Sequence, residues 1–237
     1  MRDYSMWLAR AEQFVRAAAE LPGEWSVHIS VKPPLDATAC DRLAESLPLG
    51  LPAALRDFYS TASADARISY GWTPTKRELP VVSKIFPHQN SFWGGPKLCA
   101  AADLRALHED IAGFAEIFEE QGGHATAAID VVRSAIPFIA VGNGDYVALH
   151  ATEGSPNFGV FYISHDTDPQ ECSPLISISS SLEQFLDDWE RVGYIGPEAW
   201  LLQTFMTDPP SEKLDVDGSM ARRWRMLLRG YGLPITD

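Results

Sequence analysis

"AIPFIAVGNGDYVALH", residues 135–150, places two glycines, an asparagine and an aspartate between two apolar runs. A phosphate-binding loop needs a glycine-rich turn that leads from a strand into a helix, so that backbone N–H groups and the helix dipole meet the anion. Here the alternating "DYVALH" follows the turn and predicts a second strand. Because Asn143 and Gly144 tolerate the positive φ of a type I′ turn, the stretch predicts a β-hairpin.

Short β-rich segments continue this hairpin into a predicted strand meander. Turn residues separate them, which is typical of consecutive antiparallel strands. The helix predicted next, "SSSLEQFLDDWERVGY", opens with a capping box from Ser180 to Glu183. The four strand segments are "AIPFIAV", "DYVALH", "NFGVFYISH" and "PLISI".

Helical periodicity recurs on both sides of the meander, with two further strands predicted at 25–31 and 66–72. In the helix at 102–123, His108 is expected off the apolar face. Proline, glycine and asparagine interrupt every apolar run from 74 to 96, which predicts a long irregular loop. Its Phe92 and Trp93 are expected either to pack on the core as a lid or to anchor a partner. The other predicted helices are residues 3–20, 37–46, the part of 47–63 that begins near Pro52, and 218–232.

The composition indicates a soluble globular chain. It has 237 residues, 46% of them apolar and 22% charged. No linker or repeat is visible, so a single domain over 1–237 is expected, with a core at about 47–192 and helical additions at 1–46 and 193–237. The sequence shows neither an export signal nor an apolar run of membrane-spanning length, which predicts a cytoplasmic protein with no membrane partner.

The chain is acidic, with 19 basic against 32 acidic residues and a net charge of −13. Such a charge repels nucleic acid and favours cationic partners, although it also serves solubility alone. The sign reverses at the end, since residues 213–237 carry a net charge of +2. An amphipathic final helix explains this better than a phosphate or RNA site.

The sequence contains no complete metal-binding or cofactor-binding motif, so no metal or cofactor is expected. Cys40, Cys99 and Cys172 lie far apart and lack the CxxC spacing of zinc sites and the even count of disulfide frameworks. "HEDIA", residues 108–112, lacks the second histidine of a zinc protease, and "DVDG", residues 215–218, lacks the spacing of a calcium loop.

The two strand histidines can be placed by pairing "DYVALH" with "NFGVFYISH" through the loop 151–157. His150 then faces Phe158, and His165 lies opposite Asn143, some seven residues along. At about 3.4 Å per residue the two histidines are more than 20 Å apart, which excludes a shared zinc ion.

The same register predicts a polar cluster around Asp145. His165 lies diagonally across from it on one sheet face, with Asn143 and Asp166 close by. A carboxylate beside an imidazole can act as an acid–base pair, or it can cap turns and satisfy backbone donors. No GxSxG nucleophile accompanies the pair.

Four stretches in this order resemble the SMI1/KNR4 superfamily, also called the SUKH group. The similarity covers approximately residues 47–192. A long segment between Trp72 and Ala135 and a C-terminal extension depart from the family pattern. The four stretches are "LPAALRDFYSTAS", "AIPFIAVGNGDYVAL", "NFGVFYISHD" and "ISISSSLEQFLDDW".

The resemblance implies an α+β fold with a twisted, mainly antiparallel sheet flanked by helices, and no catalytic residue. It also implies a protein-binding role: bacterial members are regarded as immunity proteins that neutralise toxin domains, often nucleases or deaminases, while fungal relatives are regulatory scaffolds. The "GNGD" turn then becomes a structural mark of the fold.

Three functional hypotheses follow. The first is a non-enzymatic immunity protein that binds a cationic toxin, because a net charge of −13 would speed the capture of a basic domain. The second is a scaffold with several endogenous partners. The third is a small hydrolase that uses Asp145 and His165. The candidate partner-binding residues are Asn143, Asp145, His165, Asp166, Phe92 and Trp93.

Overall fold

The computed structural model describes residues 2–21, 24–87, 89–151, 158–165, 173–207 and 213–236. Helices and strands are numbered here in chain order. The helices are α1 (Tyr4–Ala19), α2 (Ala37–Ser46), α3 (Ala53–Thr61), α4 (Leu79–Val82), α5 (Leu104–Gln121), α6 (Thr126–Ser134), α7 (Leu182–Arg191), α8 (Ala199–Leu202) and α9 (Ser219–Gly230). The strands are β1 (Glu24–Val31), β2 (Ala66–Thr73), β3 (Phe92–Gly94), β4 (Ile136–Ala140), β5 (Tyr146–Ala151), β6 (Phe158–Ile163) and β7 (Leu175–Ser179).

The strands form two antiparallel sheets. The first has the order β1-β2-β3, and the second has the order β4-β5-β6-β7, which is the predicted meander. In the first sheet, β1 pairs with β2 along its whole length. The predicted α+β fold with antiparallel strands flanked by helices is therefore confirmed.

A short extended segment, residues 97–99, joins the two sheets. Lys97 forms a β-bridge with Arg67 of β2, and Leu98 forms one with β4. The Cys99 N–H donates a hydrogen bond of 2.8 Å to a β4 carbonyl. Because the segment pairs on both sides, it links the sheets by backbone hydrogen bonds.

The N- and C-terminal helices share one hydrophobic cluster with both sheets. Asp3 caps α1, whose Trp7 is fully buried and donates an indole hydrogen bond of 3.1 Å to the Leu186 carbonyl. On α9, Trp224 donates in the same way to the Val192 carbonyl at 2.9 Å. Both indoles thus satisfy their polar atom while burying a large apolar area.

Strand β5 is covered on both faces. Val147 and Leu149 point into the main cluster, whereas Tyr146 and Ala148 belong to a second cluster with α5 and α6. This alternation follows from the two-residue period of a strand. The turn before β5 is therefore held between two packed layers.

The hairpin between β4 and β5 is present, but the type I′ turn is wrong. The loop has three residues, 142–144, closed by a 2.9 Å hydrogen bond from the Val141 N–H to the Asp145 carbonyl. Within it only Gly144 takes a positive φ, of 98°. Three-residue hairpin loops need the left-handed conformation at their last position alone, so Asn143 keeps a negative φ.

Strands β5 and β6 pair one residue away from the predicted register. His150 lies opposite Gly159, because β5 continues through Ala151, one residue further than predicted. The extended register brings His165 opposite Gly144. The two histidines still lie about 20 Å apart along the strands, so the exclusion of a shared zinc ion is unchanged.

Three local expectations are corrected. His108 is buried rather than outside the apolar face of α5, and its Nδ1 lies 2.8 Å from the Ala135 carbonyl oxygen. Helix α6 was not predicted. The cap of α7 is Ser181, whose hydroxyl accepts from the Gln184 N–H, rather than Ser180.

Candidate partner-binding site

Asp145 is the centre of a buried hydrogen-bond cluster. One carboxylate oxygen accepts from the His165 N–H at 3.0 Å and lies 2.7 Å from the His165 Nδ1. The other accepts from the Asn143 amide at 2.6 Å and from the Tyr162 hydroxyl. Asn143 also accepts from the Asp145 N–H at 3.2 Å. The carboxylate therefore fastens the GNGD turn to the end of β6.

These hydrogen bonds favour the ionised form of Asp145. Burial opposes ionisation, but the bonds from Tyr162, His165 and Asn143 together outweigh it and hold the pKa of the Asp145 carboxyl below its usual range. Burial, followed by the bond to Asp145, raises the pKa of the Tyr162 phenol. The ionised carboxylate therefore stabilises the GNGD turn as a hydrogen-bond acceptor.

Replacing Asp145 with alanine is expected to lower the free energy of unfolding by about 3 kcal/mol at pH 7, because the buried Tyr162 hydroxyl and the donors of Asn143 and His165 lose a charged acceptor. Asp145→Asn should lose most of this as well. Because the folded pKa is depressed, the stabilisation is complete above the unfolded pKa of about 4 and disappears as the pH falls through the folded value. Urea titrations from pH 2.5 to 7 measure the difference between wild type and Asp145→Asn.

The matched control is Asp130→Ala. Asp130 is exposed and forms an ion pair with Arg133, so the expected loss is about 0.5 kcal/mol or less. A wild-type advantage over Asp145→Asn that stays constant down to pH 2.5 would contradict the assigned role of the carboxylate.

The imidazole of His165 is the exposed part of the cluster, with 40% of the side chain accessible. It lies over Gly144, where a Cβ atom would be 3.4 Å from the ring. On its other side the ring centroid is 6.1 Å from that of Phe114 on α5, which also contacts Tyr146 at 5.9 Å. His165 therefore connects the GNGD turn to α5.

Helix α5 carries a mixed apolar and acidic stripe beside this contact. Asp110, Phe114, Ile117 and Glu120 follow at spacings of four, three and three residues, which places them along one side of the helix. Ile117 is 48% exposed and Phe114 is half-buried. The stripe thus presents apolar side chains with an acidic residue at each end.

The cluster extends in the opposite direction to α8. The Tyr162 hydroxyl lies next to the backbone N–H of Ala199, the first residue of that helix. The next residue, Trp200, is 41% exposed, and its ring centroid is 6.4 Å from that of Trp93. Trp93 itself is half-buried. Trp93 is therefore connected to Asp145 through Tyr162 and α8.

Of the other two candidate residues, Phe92 and Asp166, the structure describes only Phe92. Phe92 is 1% exposed and packs against Phe86 at 4.9 Å and Trp72 at 5.7 Å. It is a core residue of β3, so the interpretation as a partner anchor is corrected in favour of packing on the core. Asp166 lies outside the described residues.

We name the surface around the GNGD turn the turn surface. It combines a rigid polar centre, an exposed imidazole, and aromatic and aliphatic side chains on either side. Its residues are Asn143, His165, Phe114, Ile117, Trp93 and Trp200.

Acidic residues surround this surface on the α5 side. Residues 101–134 contain seven acidic and two basic residues, and all seven acidic side chains are exposed. Arg105 pairs with Glu109, and Arg133 pairs with Glu119 and Asp130. Asp103 lies 3.9 Å from Arg67, and within the described part of the chain Asp110, Glu116 and Glu120 have no ion pair.

Sequence patterns missed four residues of the site: Tyr162, Phe114, Ile117 and Trp200. Ile117 carried a usable signal, because it is a large apolar residue outside the predicted apolar face of α5. Tyr162 and Trp200 carried none, since their relation to Asp145 depends on the approach of α8 to the sheet.

The described residues hold a further cleft and no cluster of metal-binding side chains. No group of three or more His, Cys, Asp or Glu side chains there is arranged to hold a metal ion. A cleft of about 420 Å³ lies beside the 97–99 segment, and Arg67 at its edge is neutralised by Asp65 at 3.0 Å. Among the helices whose residues are described, none has the length and hydrophobicity to cross a membrane.

A family model described as the SMI1 / KNR4 family (SUKH-1) matches residues 34–188. The chain belongs to the SMI1/KNR4 family. The match contains the second sheet, strands β2 and β3 of the first, the GNGD turn and α5, so the long segment after Trp72 lies inside the family region. No curated protein and no solved structure matches the chain. Membership of the SMI1/KNR4 family is consistent with an immunity-type protein-binding module.

Proposed function

We propose that this protein is an immunity protein that binds a cationic toxin domain through the turn surface and thereby neutralises it. The observation that carries the proposal is the contact of the turn surface with α5, whose Asp110 and Glu120 lie on the same stripe as Phe114. The proposal treats residues 1–237 as one non-enzymatic domain, since helices from both ends enter the main hydrophobic cluster.

The turn surface has the composition of a protein-binding site. Interfaces combine an aromatic or aliphatic centre with a polar rim, and a few central residues supply most of the affinity. Here Phe114, Ile117 and Trp200 form the apolar part, and the acidic side chains of α5 form part of the rim. The hydrogen bonds of Asp145 hold the turn in one conformation, which reduces the entropy lost on binding.

The charge favours a basic partner. Asp110 and Glu120 flank the apolar part of the α5 stripe, and the whole chain carries −13. A negative field of this kind accelerates the approach of a Lys- and Arg-rich domain, such as a nuclease that binds phosphates. The same field discourages nucleic acid itself.

The hydrolase alternative has little support from the geometry. The sequence offers no GxSxG nucleophile beside the Asp145–His165 pair, and the Asp145 carboxylate also accepts from the Asn143 amide and the Tyr162 hydroxyl. The scaffold alternative differs in its salt dependence, because a mainly apolar contact changes little between low and high salt.

Affinity capture from the host, followed by identification of the retained protein, tests the proposal. At low salt the wild type is expected to retain one dominant basic partner, whose recovery falls as salt rises. The double variant Asp110→Lys/Glu120→Lys should bind the purified partner at least tenfold more weakly. Wild type co-expressed with the partner should restore growth, and the variant should not.

The matched control is Glu24→Lys/Glu45→Lys, which changes the net charge equally at exposed positions outside the turn surface. It should bind within about threefold of wild type, since long-range steering alone changes. Equal weakening in both double variants would count against the turn surface. Retention of several partners without salt dependence would favour the scaffold.

A further inference from the structure

A second exposed apolar feature lies between α4 and α9. It is an open groove of about 450 Å³, which we name the cationic groove. Helix α9 lies outside the residues that match the family, and the groove shares no residue with the turn surface. Its lining residues are Val81, Lys84, Ile85, Arg223, Met226 and Leu227.

The two walls of the groove repeat one pattern. Val81, Lys84 and Ile85 are spaced i, i+3 and i+4, which places them on one face of the helical turn that begins in α4. On α9 the same spacing relates Arg223 to Met226 and Leu227. Each wall therefore offers two apolar side chains and one cation.

Two of the four apolar side chains that line the groove are open to solvent, whereas Ile85 is buried. Met226 is 65% exposed, the highest value among the exposed large apolar residues of the described chain, and Val81 is 49% exposed. Methionine is flexible and adapts to varied partners, so it suits a binding surface. Beneath the groove Phe86 and Trp224 pack edge to face at 5.2 Å. The floor is therefore rigid and the walls adaptable.

The groove is positively charged in an acidic protein. Helix α9 contains four arginines and no acidic residue. Lys84 and Arg223 are exposed, and within the described ranges neither forms an ion pair. Cations around an apolar groove select an occupant that carries both carboxylates and an apolar side chain.

We propose that the cationic groove is a second protein-binding site, which receives an acidic amphipathic segment of a partner protein. The apolar face of the segment contacts Val81 and Met226, and its carboxylates meet Lys84 and Arg223. In such a helix-in-groove contact the bound helix inserts apolar residues at i, i+3, i+4 and i+7 into the groove. The site acts independently of the turn surface, and its positive charge gives it a different class of partner.

Fluorescence anisotropy with a labelled acidic peptide tests the site. The probe is a helical peptide of Glu, Ala and Leu with leucines at i, i+3, i+4 and i+7, titrated with full-length protein. Binding is expected to weaken at least tenfold in Lys84→Glu/Arg223→Glu and in Met226→Asp. The three positions are exposed, so circular dichroism should show an unchanged fold.

The control variant Lys97→Glu/Arg42→Glu reverses one exposed lysine and one exposed arginine elsewhere and should leave peptide affinity within about threefold. A peptide with serines in place of leucines should bind at least tenfold more weakly. Equal binding of the two peptides, or equal affinity of the groove variants and wild type, overturns the proposal.

Two other occupants are distinguished by the same variants. A single-stranded oligonucleotide that binds more tightly than the peptide and displaces it would assign the groove to nucleic acid instead. Self-association of the wild type that the groove variants abolish would assign it to a second copy of the chain. Neither experiment uses the turn surface, so the result is separate from that of the toxin-binding test.

Discussion

Trp224→Ala is expected to lower the free energy of unfolding by about 4 kcal/mol, the usual cost of truncating a fully buried tryptophan. The indole is 1% exposed and contacts Phe86 at 5.2 Å and Trp72 at 6.1 Å. Truncation leaves a cavity among these rings and also leaves the Val192 carbonyl without its indole donor. Urea unfolding followed by far-ultraviolet circular dichroism measures the loss.

Trp200→Ala is the matched control. The same side chain is removed, but Trp200 is 41% exposed, so the expected loss is about 1 kcal/mol or less. A loss below 1 kcal/mol for Trp224→Ala would mean that α9 is not part of the same cooperative unit. The expected loss would show that α9, which lies beyond the family-matched residues, stabilises the core.

Gly94→Ala is expected to destabilise the protein by about 3 kcal/mol or more through overpacking. A Cβ atom at this position would lie 2.2 Å from the Tyr194 carbonyl oxygen and 2.7 Å from the Tyr70 hydroxyl oxygen. Tyr70 cannot move without breaking its 2.9 Å hydrogen bond to the Gly193 carbonyl. Thermal and urea unfolding of the variant measure the effect.

Gly113→Ala is expected to stabilise the protein, in contrast to Gly94→Ala. Gly113 lies inside α5, and a Cβ atom there would meet nothing within 4 Å. Alanine reduces the entropy of the unfolded chain at this site, so the variant should be more stable by about 0.5–1 kcal/mol. Similar effects of the two substitutions would show that the approach of β3 to Tyr194 does not control stability.

The sequence predicted the elements whose periodicity is long and regular. The strands β4 to β7 and the helices α1, α5, α7 and α9 emerged from their apolar spacing. Helix α6 was missed, because nine residues led by "GGHA" offer only Ile129 and Val132 as buried positions. Strand β3 was missed because three residues cannot display a period, and its pairing with β2 is decided by tertiary contacts.

The site was predicted in part. The proximity of Asn143, Asp145 and His165 followed from strand pairing, although the register was wrong by one residue. The contribution of Trp200 could not be predicted, since no local pattern shows that α8 begins beside Tyr162. The burial of Phe92 could not be predicted either, because no sequence pattern distinguishes a loop aromatic that packs on the core from one that contacts a partner.

The 97–99 segment has a consequence for the order in which the chain folds. Lys97 lies 30 positions after its partner Arg67, and Ile139 lies 41 positions after its partner Leu98. The meander needs only contacts between neighbouring strands, whereas this segment pairs only after two long loops have closed. We therefore expect the meander to form before it is joined to the first sheet, and the joining to depend on the length of the segment between β2 and β4.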